Sequence, residues 1–119
     1  MSRAISGRVA ALESRQQLRL FQQAITNSFL EAADEAELSA GSRTAILAAL
    51  QDWHTRYPLP PVGWEWDYDE AFAVADAHTL AVRRILEQHI TERAILRAVC
   101  HGMRDRLMAL IGANNNDAS

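Results

Sequence analysis

The chain has 119 residues, of which 49% are hydrophobic, and its formal net charge is −3. This size suits one domain that buries its own core, and charged residues interrupt every apolar segment before the roughly 20 residues that a membrane span needs. The single cysteine, Cys100, excludes an internal disulfide, and no apolar leader precedes the first helical pattern, so we expect a reducing, cytoplasmic setting.

The cationic side chains other than histidine are twelve arginines, with no lysine. A GC-rich coding background is the simplest explanation, although guanidinium groups also suit paired carboxylates or phosphates. The charges are segregated, because residues 31–37 and 65–70 are acidic whereas 83–106 is basic. Such segregation can pair helices within the chain or attract a partner.

The first predicted helix ends near Leu38, and Ser2 or Ser6 could cap its beginning. Its main apolar stripe has helical spacing and consists of Leu18, Phe21, Ile25, Phe29, Ala32 and Ala36. Gly41 is placed to end this helix and Ser42 to cap the next. The second helix is predicted from Arg43 to Tyr57, with a core stripe of Ile46, Leu50, Trp53 and Tyr57.

Residues 53–72 hold six of the eight aromatic residues and all three prolines. Pro58 stops the second helix, and 58–61 must be extended, since proline restrains itself and the residue before it. Residues 64–69 then alternate aromatic with acidic but are too few for a sheet. Asp67 or Asp69 begins the next helix, with Glu70 positioned to reach back to the cap. The sequence therefore predicts an ordered Pro/Trp-rich loop.

A seven-residue apolar repeat runs from Phe72 to Leu110. It fits either one helix of roughly 44 residues or two helices hinged near Thr91, which could cap the second. Neither glycine nor proline marks that junction, so we favour a continuous C-terminal helix, kinked at most, that ends at Gly112. The predicted fold is all-α, an elongated bundle of three to four helices in a single domain (1–112) with a polar tail (113–119).

His89 and Arg93 interrupt this repeat one turn apart. Buried polar groups at such positions commonly fix register or oligomeric state, so we expect Arg93 to meet a carboxylate of residues 31–37 or 67–70. A kink that turns both residues to solvent is the alternative. Because so long a repeat exceeds what so short a chain can cover, we also expect a homodimer.

Chemical motifs are missing from the sequence. His89 and Glu92 have the helical spacing that metal ligands need, and one such pair is a weak signal. Cys100 lies on the apolar stripe, and its neighbour His101 points about 100° away from it. We therefore interpret Cys100 as a small, buried apolar side chain. We therefore expect no catalytic residues, no metal, no cofactor and no enzyme.

The best functional candidate is the aromatic and acidic stretch. We take Trp53, Tyr57 and Phe72 to be core residues. Indole and phenol rings surrounded by charge are typical of protein interfaces, which assigns partner binding to Trp64, Glu65, Trp66, Asp67, Tyr68 and Asp69. Aromatic residues can also simply hold a proline-rich loop in place. The leading hypothesis is a protein-binding adaptor, assembly subunit or small inhibitor.

A basic stripe on the last helix supports the alternative hypothesis, a nucleic-acid-binding regulator. The stripe comprises Arg93, Arg97, His101 and Arg104. The net acidity and the absence of lysine argue against it. The simpler interpretation is a solvated helix face, or one in which Arg97 or Arg104 pairs with acidic residues of a neighbouring helix.

Overall fold

The computed structural model describes residues 14–118, with side chains for 14–110. The described chain forms four helices and no strand, in the order α1 (Ser14–Glu35), α2 (Ala40–Arg56), α3 (Tyr68–His89) and α4 (Arg93–Ala118). The all-α prediction is confirmed, and principal extents of 53 × 31 × 21 Å make the bundle elongated. The caps predicted at Ser2 or Ser6 lie outside the described residues.

A left-handed residue ends α1. Glu37 has a φ of 57°, the N–H of Leu38 donates to the carbonyl of Ala33 at 3.0 Å, and the N–H of Glu37 donates to Asp34 at 3.2 Å. These two bonds define a Schellman motif. Leu38 is only 9% exposed, so burial of its side chain compensates for placing a residue other than glycine in this conformation.

The predicted boundary between the first two helices is therefore wrong in detail. Gly41 lies inside α2 and does not end α1. The N-cap of α2 is Ser39, whose side chain accepts from the N–H of Ser42 at 3.3 Å. Gly41 and Ser42 thus both belong to the first turn of α2.

Between α3 and α4 the chain leaves the helical conformation at Ile90, with φ −116° and ψ 112°. Ile90 is 5% exposed and belongs to the core. Its burial explains why the helix breaks here although the sequence has neither glycine nor proline at this junction. The favoured continuous helix through Thr91 is wrong, and the structure has the two-helix alternative. After the break, the N–H of Leu96 donates to the carbonyl of Glu92 at 2.9 Å.

α4 continues past Gly112 to Ala118, so the helix end predicted at Gly112 is not found. A single glycine inside a helix costs only about 1 kcal/mol, and no proline follows it. The polar segment 113–119 is consequently helical as far as Ala118.

The helices associate mainly as two pairs, α1 with α4 and α2 with α3. Gly102 lets the first pair approach closely, since a Cβ there would lie 2.9 Å from the Cβ of Ala32. The core between the helices consists of Ile25, Phe29, Ala32, Ala33, Leu38, Ile46, Leu50, Ile85, Leu86, Ile90, Val99 and Met103. None of the described helices combines the length and hydrophobicity of a membrane span.

The break between α3 and α4 also changes the environment of the two polar residues in the repeat. Arg93 is exposed and forms no ion pair with any described residue, so the expected carboxylate contact is not found, while His89 is half-buried. The acidic face of α1 is met by Arg106 instead, whose Nε donates to Glu31 at 2.8 Å and whose Nη2 donates to Glu35. Arg93 begins a new helix and is turned out of the core.

Candidate functional site

The loop between α2 and α3 begins where Tyr57 takes an extended conformation, with ψ 129°. It then turns at residues 61–64, where the N–H of Trp64 donates to the carbonyl of Pro61 at 3.0 Å. Gly63 has a φ of 79°, which is the conformation required at the third position of a type II turn and is strained for any residue with a Cβ. The chain therefore turns at Gly63, and this turn directs Trp64 back toward the bundle.

The N-terminal end of α1 holds this loop in place. Ser14 is fully buried, and both its N–H and its hydroxyl donate to the carbonyl of Trp64, at 3.1 and 2.6 Å. The Nε of Arg15 donates to the carbonyl of Pro60 at 2.7 Å. With the turn bond to Pro61, these contacts fix the backbone on both sides of the Trp64 side chain.

The first turn of α3 orients the indole of Trp64. Of the two predicted candidates, Asp67 and Asp69, the N-cap of α3 is Asp67, since its side chain accepts from the N–H of Glu70 at 2.8 Å. The carboxylate of Glu70 does not reach back to the cap, because its Oε2 accepts from Nε1 of Trp64 at 2.8 Å. The indole and this carboxylate therefore hold each other on one side of α3.

Large apolar side chains are exposed around this loop and the beginning of α3. The exposed fraction is 47% for Trp64, 83% for Tyr68 and 64% for Phe72. Leu59 and Val62 are also exposed, at 45% and 73%. The core position predicted for Phe72 is wrong, since its side chain is exposed on α3, whereas Trp53 and Tyr57 are half-buried.

We call the exposed residues of the loop and the first turn of α3 the aromatic–acidic surface. It contains the predicted partner-binding residues Trp64, Glu65, Trp66, Asp67, Tyr68 and Asp69, all exposed except the half-buried Trp66. Residues two apart on a helix point in nearly opposite directions. Tyr68 therefore lies on the opposite side of α3 from Glu70 and its partner Trp64, so the two exposed rings flank the first turn.

A cavity of about 350 Å³ lies on the Trp64 side of this surface. Its lining is apolar apart from one carboxylate and consists of Tyr57, Pro58, Leu59, Pro60, Pro61, Trp64, Trp66, Glu70 and Val74. Pro58, Leu59 and Pro61 are exposed, so the cavity is a shallow depression that opens to solvent.

Negative charge dominates the same region. Residues 57–80 contain five carboxylates and no arginine, and the carboxylates are Glu65, Asp67, Asp69, Glu70 and Asp76. The nearest charged neighbour along the chain, Arg56, forms an ion pair with Asp52 at 2.9 Å. Arg15 of α1 also reaches the loop, at the carbonyl of Pro60, but the five carboxylates outnumber it, so the surface presents aromatic rings in a negative field that attracts cations.

Two histidines lie beneath the loop in an aromatic cluster. His78 is fully buried, and its Nδ1 lies 2.8 Å from the carbonyl of Val74. Because a carbonyl only accepts, Nδ1 carries the proton, and Nε2 accepts from the amide of Gln22 at 3.2 Å. The rings around His78 are Trp53 at 4.5 Å, Tyr57 at 4.6 Å, Phe21 at 5.4 Å and His54 at 5.8 Å between centroids.

Both imidazoles of this cluster are neutral at pH 7. Burial, and to a smaller extent the nearby His78, lowers the pKa of His54 from 6.5 to about 4. Burial also lowers the pKa of His78, against the opposing hydrogen bond to Val74. The Nε2 of His54 is buried and has no hydrogen-bond partner within the described part of the chain. The cluster therefore supports the loop and contributes no charge to the aromatic–acidic surface.

Groups that could act chemically are few among the described residues. No three histidine, cysteine or acidic side chains of residues 14–110 converge as a metal site requires. Cys100 is half-buried, and burial raises the pKa of its thiol, which disfavours the nucleophilic thiolate.

The basic stripe of α4 is exposed, as its helical spacing predicts. Arg93, Arg97, His101 and Arg104 all lie at the surface. Arg104 is 3.6 Å from Asp105, while Arg93 and Arg97 form no ion pair with any described side chain. The arginine of α4 that pairs with α1 is Arg106, not Arg97 or Arg104 as the sequence suggested.

Sequence reasoning missed the anchoring of the loop by Ser14 and Arg15 and the contact of Trp64 with Glu70. No local signal announces the first, since Ser14 and Trp64 are 50 residues apart. Comparison with protein-family models, curated proteins and solved structures found no match.

Proposed function

We propose that this chain is a non-enzymatic protein-interaction module, and that a partner protein docks on its aromatic–acidic surface. The observation that carries the proposal is Trp64, whose indole is 47% exposed although hydrogen bonds to Ser14 and Pro61 fix its backbone. An aromatic residue serving only to fill space would be buried. A fixed, half-exposed indole is instead typical of an interface anchor.

The charge of the surface indicates the chemistry of the partner. Five carboxylates and no arginine lie between residues 57 and 80, so a docking protein presents a basic surface. Opposite charges raise the rate of association and exclude acidic competitors. The rings of Trp64 and Tyr68 on the two sides of the first turn of α3 provide the apolar contacts.

A partner is first captured from a lysate of the source cells and then purified, and its affinity is measured by calorimetry. Tyr68→Ala is expected to weaken binding by about 2 kcal/mol, or roughly 30-fold, as an interface anchor does. Because Tyr68 is 83% exposed, its truncation leaves the fold intact. Leu80→Ala, an exposed apolar residue further along the same helix, is the matched control and leaves affinity unchanged. Equal affinities of the two variants would refute the assignment of this surface.

The alternative function is nucleic-acid binding through the basic stripe, and it is favoured by Arg93 and Arg97, which are exposed and form no ion pair with a described side chain. Phosphate contacts make affinity fall steeply with salt. For such a binder, Arg97→Gln reduces the number of counterions released on binding, read from the slope of log affinity against log salt concentration, by about one. No binding to duplex or single strands at low salt removes this alternative.

Two further parts of the proposal concern assembly and location. The expected homodimer stays a prediction, and the break between α3 and α4 removes the uninterrupted repeat that motivated it. Sedimentation equilibrium tests it, and a monomer at micromolar concentration contradicts it. A cytoplasmic location also belongs to the proposal, on the ground of the single cysteine, and fractionation of source cells checks it.

A further inference from the structure

The cavity beside Trp64 is the most specific binding feature of the described chain. Its walls contain three aromatic residues, Tyr57, Trp64 and Trp66, together with all three prolines. One carboxylate, that of Glu70, completes the lining. From this combination we infer that the cavity binds the side chain of an arginine from the partner protein. The inference deepens the proposed function and rests on it.

The electrostatic argument starts from Glu70. Its Oε2 accepts from the indole of Trp64 at 2.8 Å, while Oε1 has no hydrogen-bond partner among the described residues. The indole fixes the direction of the carboxylate, and the free oxygen is available to a guanidinium N–H. Hydrogen bonds between charged groups are about twice as strong as neutral ones. No arginine lies between residues 57 and 80 of the sequence, and Arg15, which reaches the loop from α1, donates its Nε to the carbonyl of Pro60 at 2.7 Å.

The aromatic walls supply the second contact. A guanidinium is planar and stacks on the faces of tryptophan and tyrosine, where it is attracted by the ring quadrupole. The methylene stem of an arginine also covers apolar surface while its charged end stays near water. The prolines at 58, 60 and 61 offer a surface of this kind beside the rings.

The shape of the cavity favours arginine over other cationic groups. Pro58, Leu59, Pro61 and Trp64 are exposed, so the cavity is open on one side. A flat guanidinium can stack on an open wall, whereas a methylated ammonium gains most when rings surround it. A proline-rich peptide would also fit an aromatic wall, but it leaves the carboxylate of Glu70 without a counter-charge.

The test uses the complete chain labelled with ¹⁵N and two probes, Nα-acetyl-arginine methylamide and its neutral citrulline analogue. The N–H signals of the three indoles report on the site by NMR at low salt. The arginine probe is expected to shift the Trp64 and Trp66 signals to saturation, with weak affinity because the probe is small. The citrulline probe is expected to leave them in place. Equal shifts by both probes, or none by arginine, would overturn the inference.

A matched pair of variants isolates the carboxylate. Glu70→Gln keeps an oxygen that accepts from the indole but removes the charge, so the affinity for the arginine probe falls about fivefold. Asp76→Asn removes an exposed carboxylate of α3 outside the cavity and leaves the affinity unchanged. An unaltered Glu70→Gln affinity, or tighter binding of the corresponding lysine probe, contradicts the assignment.

The failure of this inference is distinguishable from that of the proposed function. If Tyr68→Ala weakens partner binding and the arginine probe does not bind, the proposed docking surface is supported and the assignment of the cavity as an arginine site is rejected. If the probe binds with the expected selectivity but Tyr68→Ala and Leu80→Ala bind the partner with equal affinity, the arginine site is supported and the proposed docking surface is rejected.

Discussion

Acidification should destabilise the protein through His54, and replacing this residue with phenylalanine should remove part of the effect. Burial keeps the folded-state pKa of His54 at about 4, against 6.5 for the free side chain. Below pH 6.5 the unfolded chain takes up a proton that the folded chain does not, so stability falls as the pH falls. The loss accumulates between pH 6.5 and about 4 and is constant below that range.

The size of the effect follows from the same pKa values. A fall from 6.5 to about 4 corresponds to at most about 3 kcal/mol, since one pKa unit is about 1.4 kcal/mol. Solvent reaches the half-buried ring, so about half of that value, roughly 1.5 kcal/mol, is the expected contribution. His78 adds to the loss in the same direction, because burial lowers its pKa as well.

The assay is urea unfolding followed by circular dichroism at pH 7.5 and at pH 4.5. Many carboxylates also respond to acid, so each protein is compared with itself first. The quantity compared between the variants and the wild type is the free energy of unfolding at pH 7.5 minus that at pH 4.5. It should be about 1 kcal/mol smaller in His54→Phe than in the wild type. His101→Phe, the same change at an exposed position of α4, should match the wild type. Identical differences for His54→Phe and the wild type would refute the reasoning.

Two further predictions concern the contacts that shape the bundle and the loop. In urea unfolding, Gly102→Ala should be less stable than Gly41→Ala by about 1–3 kcal/mol. Both variants gain helix propensity, but only Gly102→Ala places a Cβ 2.9 Å from the Cβ of Ala32. Equal stabilities of the two variants would show that α1 and α4 separate easily. Ser14→Ala should cost about 1 kcal/mol, since it removes the hydroxyl hydrogen bond to the carbonyl of Trp64, and should speed hydrogen exchange of the Trp64 amide. Unchanged exchange would mean that the loop is held without Ser14.

Periodicity predicted the helices well where side chains at helical spacing are buried. Leu18, Ile25, Phe29 and Ala32 of the first stripe, and the pair Ile46 and Leu50 of the second, are buried as their spacing indicates, whereas Phe21 is half-buried. The break at Ile90 was not predictable in the same way, because its cause is tertiary. In the sequence, the apolar spacing continues unchanged across the junction, whereas in the structure the chain leaves the helix at Ile90, whose side chain is buried in the core.

The candidate site was predicted in its composition but not in its support. The alternation of rings and carboxylates led to Trp64 and Tyr68, and both are exposed. Phe72 was misplaced because helical spacing alone does not say which flank of α3 another helix covers. The bonds from Ser14 join segments 50 residues apart, and one sequence carries no signal of such a contact.

The pairing of the first described helix with the last also affects how the chain can fold. The Cβ of Ala32 and the backbone of Gly102 can meet only after the 69 residues between them have been synthesised, so this contact belongs to the slow, non-local part of the conformational search. During synthesis, the apolar face of α1 that packs against α4 therefore stays uncovered by that helix until α4 has left the ribosome.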